Sequence, residues 1–150
     1  MTRRQKSERT QWTAQFLAAA ELCRRGYVVT FTTGNHTQNY DLIVGSHAPG
    51  MAPFYVDVKG LSSNNPWPIS KKEKSDRLFY VLVRIHESDR SQDRFSIMAQ
   101  DDVNREIEMY FSIHKKSDSE RNTKTQWLSF KQGTKEEYEN NWGKLPQPKN

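Results

Sequence analysis

Phe54-Tyr55-Val56-Asp57-Val58-Lys59-Gly60 reads as a β-strand that carries two charges on one face. Alternate residues of an extended chain point the same way, so Asp57 and Lys59 share a face while Val56 and Val58 enter the opposite layer. Asp is a poor strand former, and a charge inside a covered sheet is costly unless it is paired. A second break of this kind comes earlier: in Tyr40-Asp41-Leu42-Ile43-Val44-Gly45, Asp41 opens an otherwise apolar run. Local preference tends to be violated where function demands it, which makes Asp41, Asp57 and Lys59 the first candidate site residues.

Working outward, Gln11 to Arg25 is rich in helix formers and closes on Arg24-Arg25-Gly26, a basic last turn followed by a glycine stop. Gln15, Ala19 and Leu22 lie on one stripe of that helix, the stripe that would face a sheet. Tyr27 to Thr32 is β-branched and aromatic and predicts a strand, and a polar turn around Gly34-Asn35 leads into the Asp41 strand. The loop from His47 to Pro53 then precedes the Asp57 strand. The order is helix, strand, strand, strand.

Leu61 to Ile69, with Asn64-Asn65-Pro66-Trp67-Pro68, predicts irregular structure, and Ser70-Lys71-Lys72-Glu73 fits a capping box for a short helix to about Asp76. Leu78 to Ile85 is apolar on both faces, as a strand covered on both sides would be. Beyond a charged loop, Phe95 to Ala99 predicts another strand. Asp101-Asp102 would cap a helix from Val103 to Ile113, with Glu106 and Glu108 on its solvated face. Lys115 to Thr125 is polar and expected to be mobile. Trp127 to Phe130 predicts a brief strand, and Thr134-Lys135-Glu136-Glu137 a capping box for a helix towards Trp142. Trp127, Phe130, Tyr138 and Trp142 are expected to staple this last segment to one core. Residues 1–150 thus read as a single domain, with flexible tails over 1–8 and 143–150.

The bulk numbers bound the function. The chain has 150 residues, 23 Lys and Arg against 18 Asp and Glu, and a net charge of +5, a balance that favours polyanionic partners. A hydrophobic content of 34% implies a modest core under a polar surface. Cys23, the single cysteine, allows no disulfide within the chain; it is expected to be buried, as a free thiol in a reducing cytosol. With no signal peptide and no membrane-length apolar run, the expectation is a cytoplasmic protein. His36, His47, His86 and His114 have no zinc-ligand spacing, though His36 falls near the site. The absence of a Walker-type glycine loop or a serine-nucleophile motif leaves no support for nucleotide hydrolysis, a nucleotide cofactor or acyl transfer.

Hydrolysing a phosphodiester needs an activated water and relief of the charge that builds on the phosphorus oxygens, and a hard divalent cation supplies both. Mg²⁺ takes oxygen ligands and is usually held by one or two carboxylates, so Asp41 and Asp57 on adjacent strands suffice, with the Val58 backbone carbonyl as a further oxygen. Mn²⁺ would substitute. Lys59 would act as the base that deprotonates the attacking water or as a fixed cation on the transition state.

This arrangement resembles the PD-(D/E)XK nuclease superfamily over roughly Gln11 to Ile85. The first acid of the family motif looks like Asp41 and its acid-x-Lys triplet looks like Asp57-Val58-Lys59. Gln15 stands where many members have a helix Glu that helps to organise the metal, and Tyr40 replaces a common Pro. Gly26-Tyr27-Val28-Val29 is similar to the subset that includes junction resolvases and small homing-type endonucleases. The resemblance implies an α/β (α+β) restriction-endonuclease-like fold in three layers. Its central mixed sheet has about four to six strands, in the order αβββαβ plus C-terminal additions. It also implies Mg²⁺-dependent endonuclease activity on DNA, with a homodimer or sequential nicking to cut both strands.

Lys71, Lys72, Lys74 and Arg77 follow the charged strand and would grip a phosphate backbone or simply form a solvated face; Trp67 would enter a groove or pack inside. Two other functions stay open: a DNA-binding module that has lost cleavage, and a partner-binding structural domain.

Overall fold

In the computed structural model, which describes residues 1–32, 40–114, 117–121 and 123–148, the first helix is started by Thr2. The Thr2 hydroxyl accepts the Gln5 N–H at 3.2 Å and the Gln5 side chain accepts the Thr2 N–H at 2.8 Å, a complete capping box. Helix α1 therefore spans Arg3–Arg24, and the segment expected as an N-terminal tail is helical from Arg3. The glycine stop holds: Gly26 adopts φ +86°, and the N–H groups of Tyr27 and Gly26 return to the carbonyls of Leu22 and Cys23. Cys23 is exposed rather than buried, because Ala18, Ala19 and Leu22 fill the inward stripe.

The strands are β1 Val28–Phe31, β2 Leu42–Gly45, β3 Phe54–Leu61, β4 Trp67–Ser70, β5 Leu78–Arg84, β6 Arg94–Ala99 and β7 Thr125–Leu128. The further helices are α2 Gln100–Ile113, α3 Asp118–Arg121 and α4 Phe130–Gly133. Five strands form a mixed sheet in the order β1-β2-β3-β5-β6, antiparallel except for the parallel pair β3/β5. The protein is thus α+β with a helix-flanked mixed sheet. β5 is apolar on both faces because both are covered: Phe79, Val81 and Val83 join the core beneath α1, and Leu78, Tyr80 and Leu82 join the core beneath α2 and the β4/β7 ribbon. Val56 and Val58 lie in the α1 layer, as the alternation along β3 requires. α1 crosses β3 at Gly60, where a Cβ would stand 2.6 Å from Ala14 Cβ and 2.8 Å from the Thr10 carbonyl oxygen.

Other elements depart from the sequence expectation for identifiable reasons. No helix follows Ser70; instead β4 pairs with β7, Trp67 opposite Leu128 and Ser70 opposite Thr125, and the Lys71 N–H continues to the Lys124 carbonyl. A two-stranded ribbon tolerates Pro68, which a central strand would not. Trp67 is buried against Phe130 and does not face a groove. Ser129 and Gln132, not Thr134 and Glu137, form the late capping box and start α4. Of the four aromatic staples, Tyr138 and Trp142 are buried but Trp127 is exposed.

The C-terminal segment is docked and not a tail over its described length: Leu145 is buried and the Tyr27 hydroxyl donates to the Pro146 carbonyl at 2.9 Å. Asp102 and Glu106 do not face solvent. Glu106 accepts from the Lys135 ammonium at 2.6 Å and from the Tyr138 hydroxyl at 2.8 Å. The turn at Gly34-Asn35, His36, and Lys115, Lys116 and Asn122 of the polar stretch lie outside the described residues. Among the described residues no helix is long and apolar enough to cross a membrane.

Candidate functional site

β2 stops short of β3, and that mismatch builds the site. Their last pairing is Leu42 opposite Val56, whereas β3 continues to Leu61. Backbone groups of β3 beyond that point need other partners on this side, because buried peptide groups are rarely left unpaired. Two residues, Asp41 and Gln11, supply them. The Asp41 N–H donates to the Val56 carbonyl at 2.9 Å, and Asp41 Oδ2 accepts the Val58 N–H at 2.7 Å. Next along the edge, Gln11 Nε2 donates to the Val58 carbonyl at 2.7 Å and Gln11 Oε1 accepts the Gly60 N–H at 3.0 Å. Gln15 Nε2 donates to the other oxygen of Asp41 at 3.1 Å. Gln15 is thereby placed on Asp41, as its helix stripe suggested. Gln11 was missed; its only sequence signal is that it lies one helical turn before Gln15.

Asp57 lies in the same region, on the face of β3 that carries Lys59, beside Tyr80 of β5. It is 2% exposed. Lys59 Nζ stands 2.8 Å from Asp57 Oδ1, and Lys72 Nζ contacts Asp57 Oδ2. Oδ1 is a buried carboxylate oxygen whose one close cation is the Lys59 ammonium, in an ion pair without hydrogen-bond geometry. Burial and then the nearby Asp57 charge raise the Asp41 pKa to about 6, against the Val58 N–H and the two lysines, which pull it down. Burial pushes the Lys72 ammonium below its ordinary range even though Asp57 pulls it up. The Tyr80 phenol is pushed up by burial and by Asp57.

Four basic residues were expected on phosphate, and the structure divides them. Lys72 belongs to the centre of the site, while Lys71 and Lys74 are exposed, Lys74 lying 3.6 Å from Asp101. Arg77 donates to the Pro53 carbonyl and lies over the Tyr55 ring at 5.5 Å. A cleft of about 600 Å³ opens beside them, lined in part by Tyr40, Tyr55, Lys71, Lys72 and Lys74. Tyr40 and Tyr55 are stacked, with ring centroids 4.3 Å apart.

These donors fit a hard divalent cation. Asp41 and Asp57 offer carboxylate oxygens, Asp57 Oδ1 is held by no contact stronger than its Lys59 ion pair, and the Val58 carbonyl keeps one lone pair beyond its bond to Gln11. Among the described residues, no group of three or more His, Cys, Asp or Glu side chains comes together, so the protein's side-chain share would be these two acids. That suits Mg²⁺ or Mn²⁺ completed by water and phosphate, and it does not suit a closed zinc site. No protein-family model, curated protein or solved structure matches the chain.

Proposed function

We propose that this protein is a metal-dependent endonuclease that hydrolyses phosphodiester bonds in DNA. The observation that carries the reading is that Asp41, just before β2, lies near enough to Asp57 and Lys59 in the middle of β3 for their charges to act on it, one Asp57 oxygen being buried with only the Lys59 ammonium beside it. Asp41 and Asp57 would hold Mg²⁺, or Mn²⁺ in its place, which supplies Lewis-acid stabilisation and an acidified water. Lys59 presents an ammonium beside that position, to orient or deprotonate the attacking water or to offset charge on the phosphate. Lys71 and Lys74 flank the adjoining cleft and suit a phosphate backbone running past it.

The restriction-endonuclease-like fold is part of the same proposal. One helix, three antiparallel strands and a further strand beside the third support it. β4 and the irregular segment up to Arg77 stand where that fold's order has its second helix. A second reading, a DNA-binding module without cleavage, is favoured by the two lysines that already neutralise Asp57 and by an amide, not an acid, at Gln15. Incubation of supercoiled plasmid with Mg²⁺ or Mn²⁺ separates them. Metal-dependent nicking that is lost in Asp57→Ala and Lys59→Ala supports the enzyme, and linear product without prior accumulation of nicked circles marks a homodimer acting on both strands. Salt-sensitive binding without nicking supports the module. Neither binding nor nicking leaves a partner-binding domain.

A further inference from the structure

Asp57 carries an ammonium on each oxygen, and the two arrive by different routes. Lys59 reaches Oδ1 from the same strand; Lys72 reaches Oδ2 from the irregular stretch between β4 and β5. The Lys72 side chain is 7% exposed and its ammonium lies 5.3 Å from the centre of the Tyr80 ring. Its segment is anchored on both sides of Lys72, by the Lys71 N–H to the Lys124 carbonyl, by the buried Gln100 amide, which donates to the Glu73 carbonyl at 3.0 Å and accepts the Ser75 N–H at 2.6 Å, and by Arg77, whose carbonyl accepts the Tyr55 N–H and whose guanidinium donates to the Pro53 carbonyl. Lys72 also has space on two sides, since it lines both the cleft of about 600 Å³ beside Tyr40 and Tyr55 and a second of about 230 Å³ beside Tyr80 and Gln100.

A divalent cation on Asp57 and the Lys72 ammonium on the same carboxylate are like charges at one seat. We propose that Lys72 is a resident counter-cation on the Asp57 carboxylate, bound at Oδ2 while Lys59 lies at Oδ1, and that it is displaced into the adjoining cleft when a divalent ion binds that carboxylate. This rests on the metal site proposed above. It makes Lys72 a second cation of the reaction centre: released from Asp57, it joins Lys71 and Lys74 on the wall that would face a phosphate. Coupling between sites is reciprocal, so a phosphate backbone that holds Lys72 in the cleft also tightens metal binding.

The test is a Mn²⁺ titration, followed by the paramagnetic resonance of the free ion, on the native chain, Lys72→Met and Asp57→Asn. Urea unfolding checks that each variant is folded. The expected result is Mn²⁺ binding by the native chain, its loss in Asp57→Asn, and binding about tenfold tighter in Lys72→Met. A second measurement needs no variant: amine acylation of the native chain, read at Lys72 by mass spectrometry, should rise about tenfold on adding Mg²⁺. Native binding that Asp57→Asn abolishes, with no gain in Lys72→Met and unchanged Lys72 acylation, overturns the displacement and leaves the metal site standing. No Mn²⁺ binding by either the native chain or Lys72→Met overturns both.

Discussion

Asp41 Oδ2 accepts the Val58 N–H at 2.7 Å, so the first acid of the site is also a rung of the sheet, placed where β2 has ended and β3 has not. Its two duties separate by substitution. Asp41→Asn keeps an acceptor for Val58 and removes the charge, whereas Asp41→Ala leaves the N–H unpaired and should cost about 1–3 kcal/mol in urea unfolding. Both should abolish Mn²⁺ binding. The pKa of about 6 adds a pH signature. A carboxyl whose folded pKa exceeds its unfolded value gives stability that is present below about pH 4 and lost as pH rises through about 6. The native chain should therefore lose about 1–3 kcal/mol relative to Asp41→Asn across that window. Parallel pH profiles for the two proteins would contradict the buried, proton-retaining Asp41.

The Gly60 crossing locates α1, and with it both glutamines. A methyl group at Gly60 would meet the Thr10 carbonyl and Ala14, neither of which is the far end of a flexible side chain. Gly60→Ala should destabilise the fold by about 1–3 kcal/mol through overpacking, and it should weaken metal binding without touching either acid. Urea unfolding and a Mn²⁺ titration on the same sample read the two effects.

Gln15 donates to Asp41 as an amide and adds no charge to the site. Gln15→Glu would place a third carboxylate there. Mn²⁺ should then bind roughly tenfold tighter. The metal-free protein should lose about 1–3 kcal/mol from like-charge repulsion in a buried setting. Stabilisation of the metal-free variant would mean that Asp41 is paired more strongly than its surroundings indicate.

Lys71 and Lys74 are exposed beside the cleft, so their contribution to DNA binding should be electrostatic and indifferent to sequence. Removing each should lower the slope of log affinity against log salt by about one. Fluorescence anisotropy with duplexes of unrelated sequence at several salt concentrations checks this. An unchanged slope in the double variant moves the DNA path elsewhere.

The parts of the fold legible in the sequence were those fixed by local periodicity. Alternation along Phe54–Gly60 put Asp57 and Lys59 on one face, the Gly26 stop ended α1, and the apolar run of β5 marked a strand covered on both sides. The parts that were not legible depend on partners distant in sequence. Ser70-Lys71-Lys72-Glu73 has the composition of a helix start, but pairing of β4 with β7 draws Ser70 and Lys71 into a ribbon and lays Lys72 on Asp57. Glu106 looked solvated until Lys135 and Tyr138 closed over it. Gln11 had no acid or motif to mark it, because its role is to complete a ladder that a strand leaves unfinished.

In the proposed enzyme, Asp41 and Asp57 together seat one divalent cation. Anomalous scattering from crystals grown with Mn²⁺ tests it most directly. The expected result is a single strong peak within bonding distance of a carboxylate oxygen from each residue, absent in Asp57→Asn. A peak elsewhere, or none at millimolar Mn²⁺ in ordered crystals, would contradict the metal site and the nuclease reading built on it.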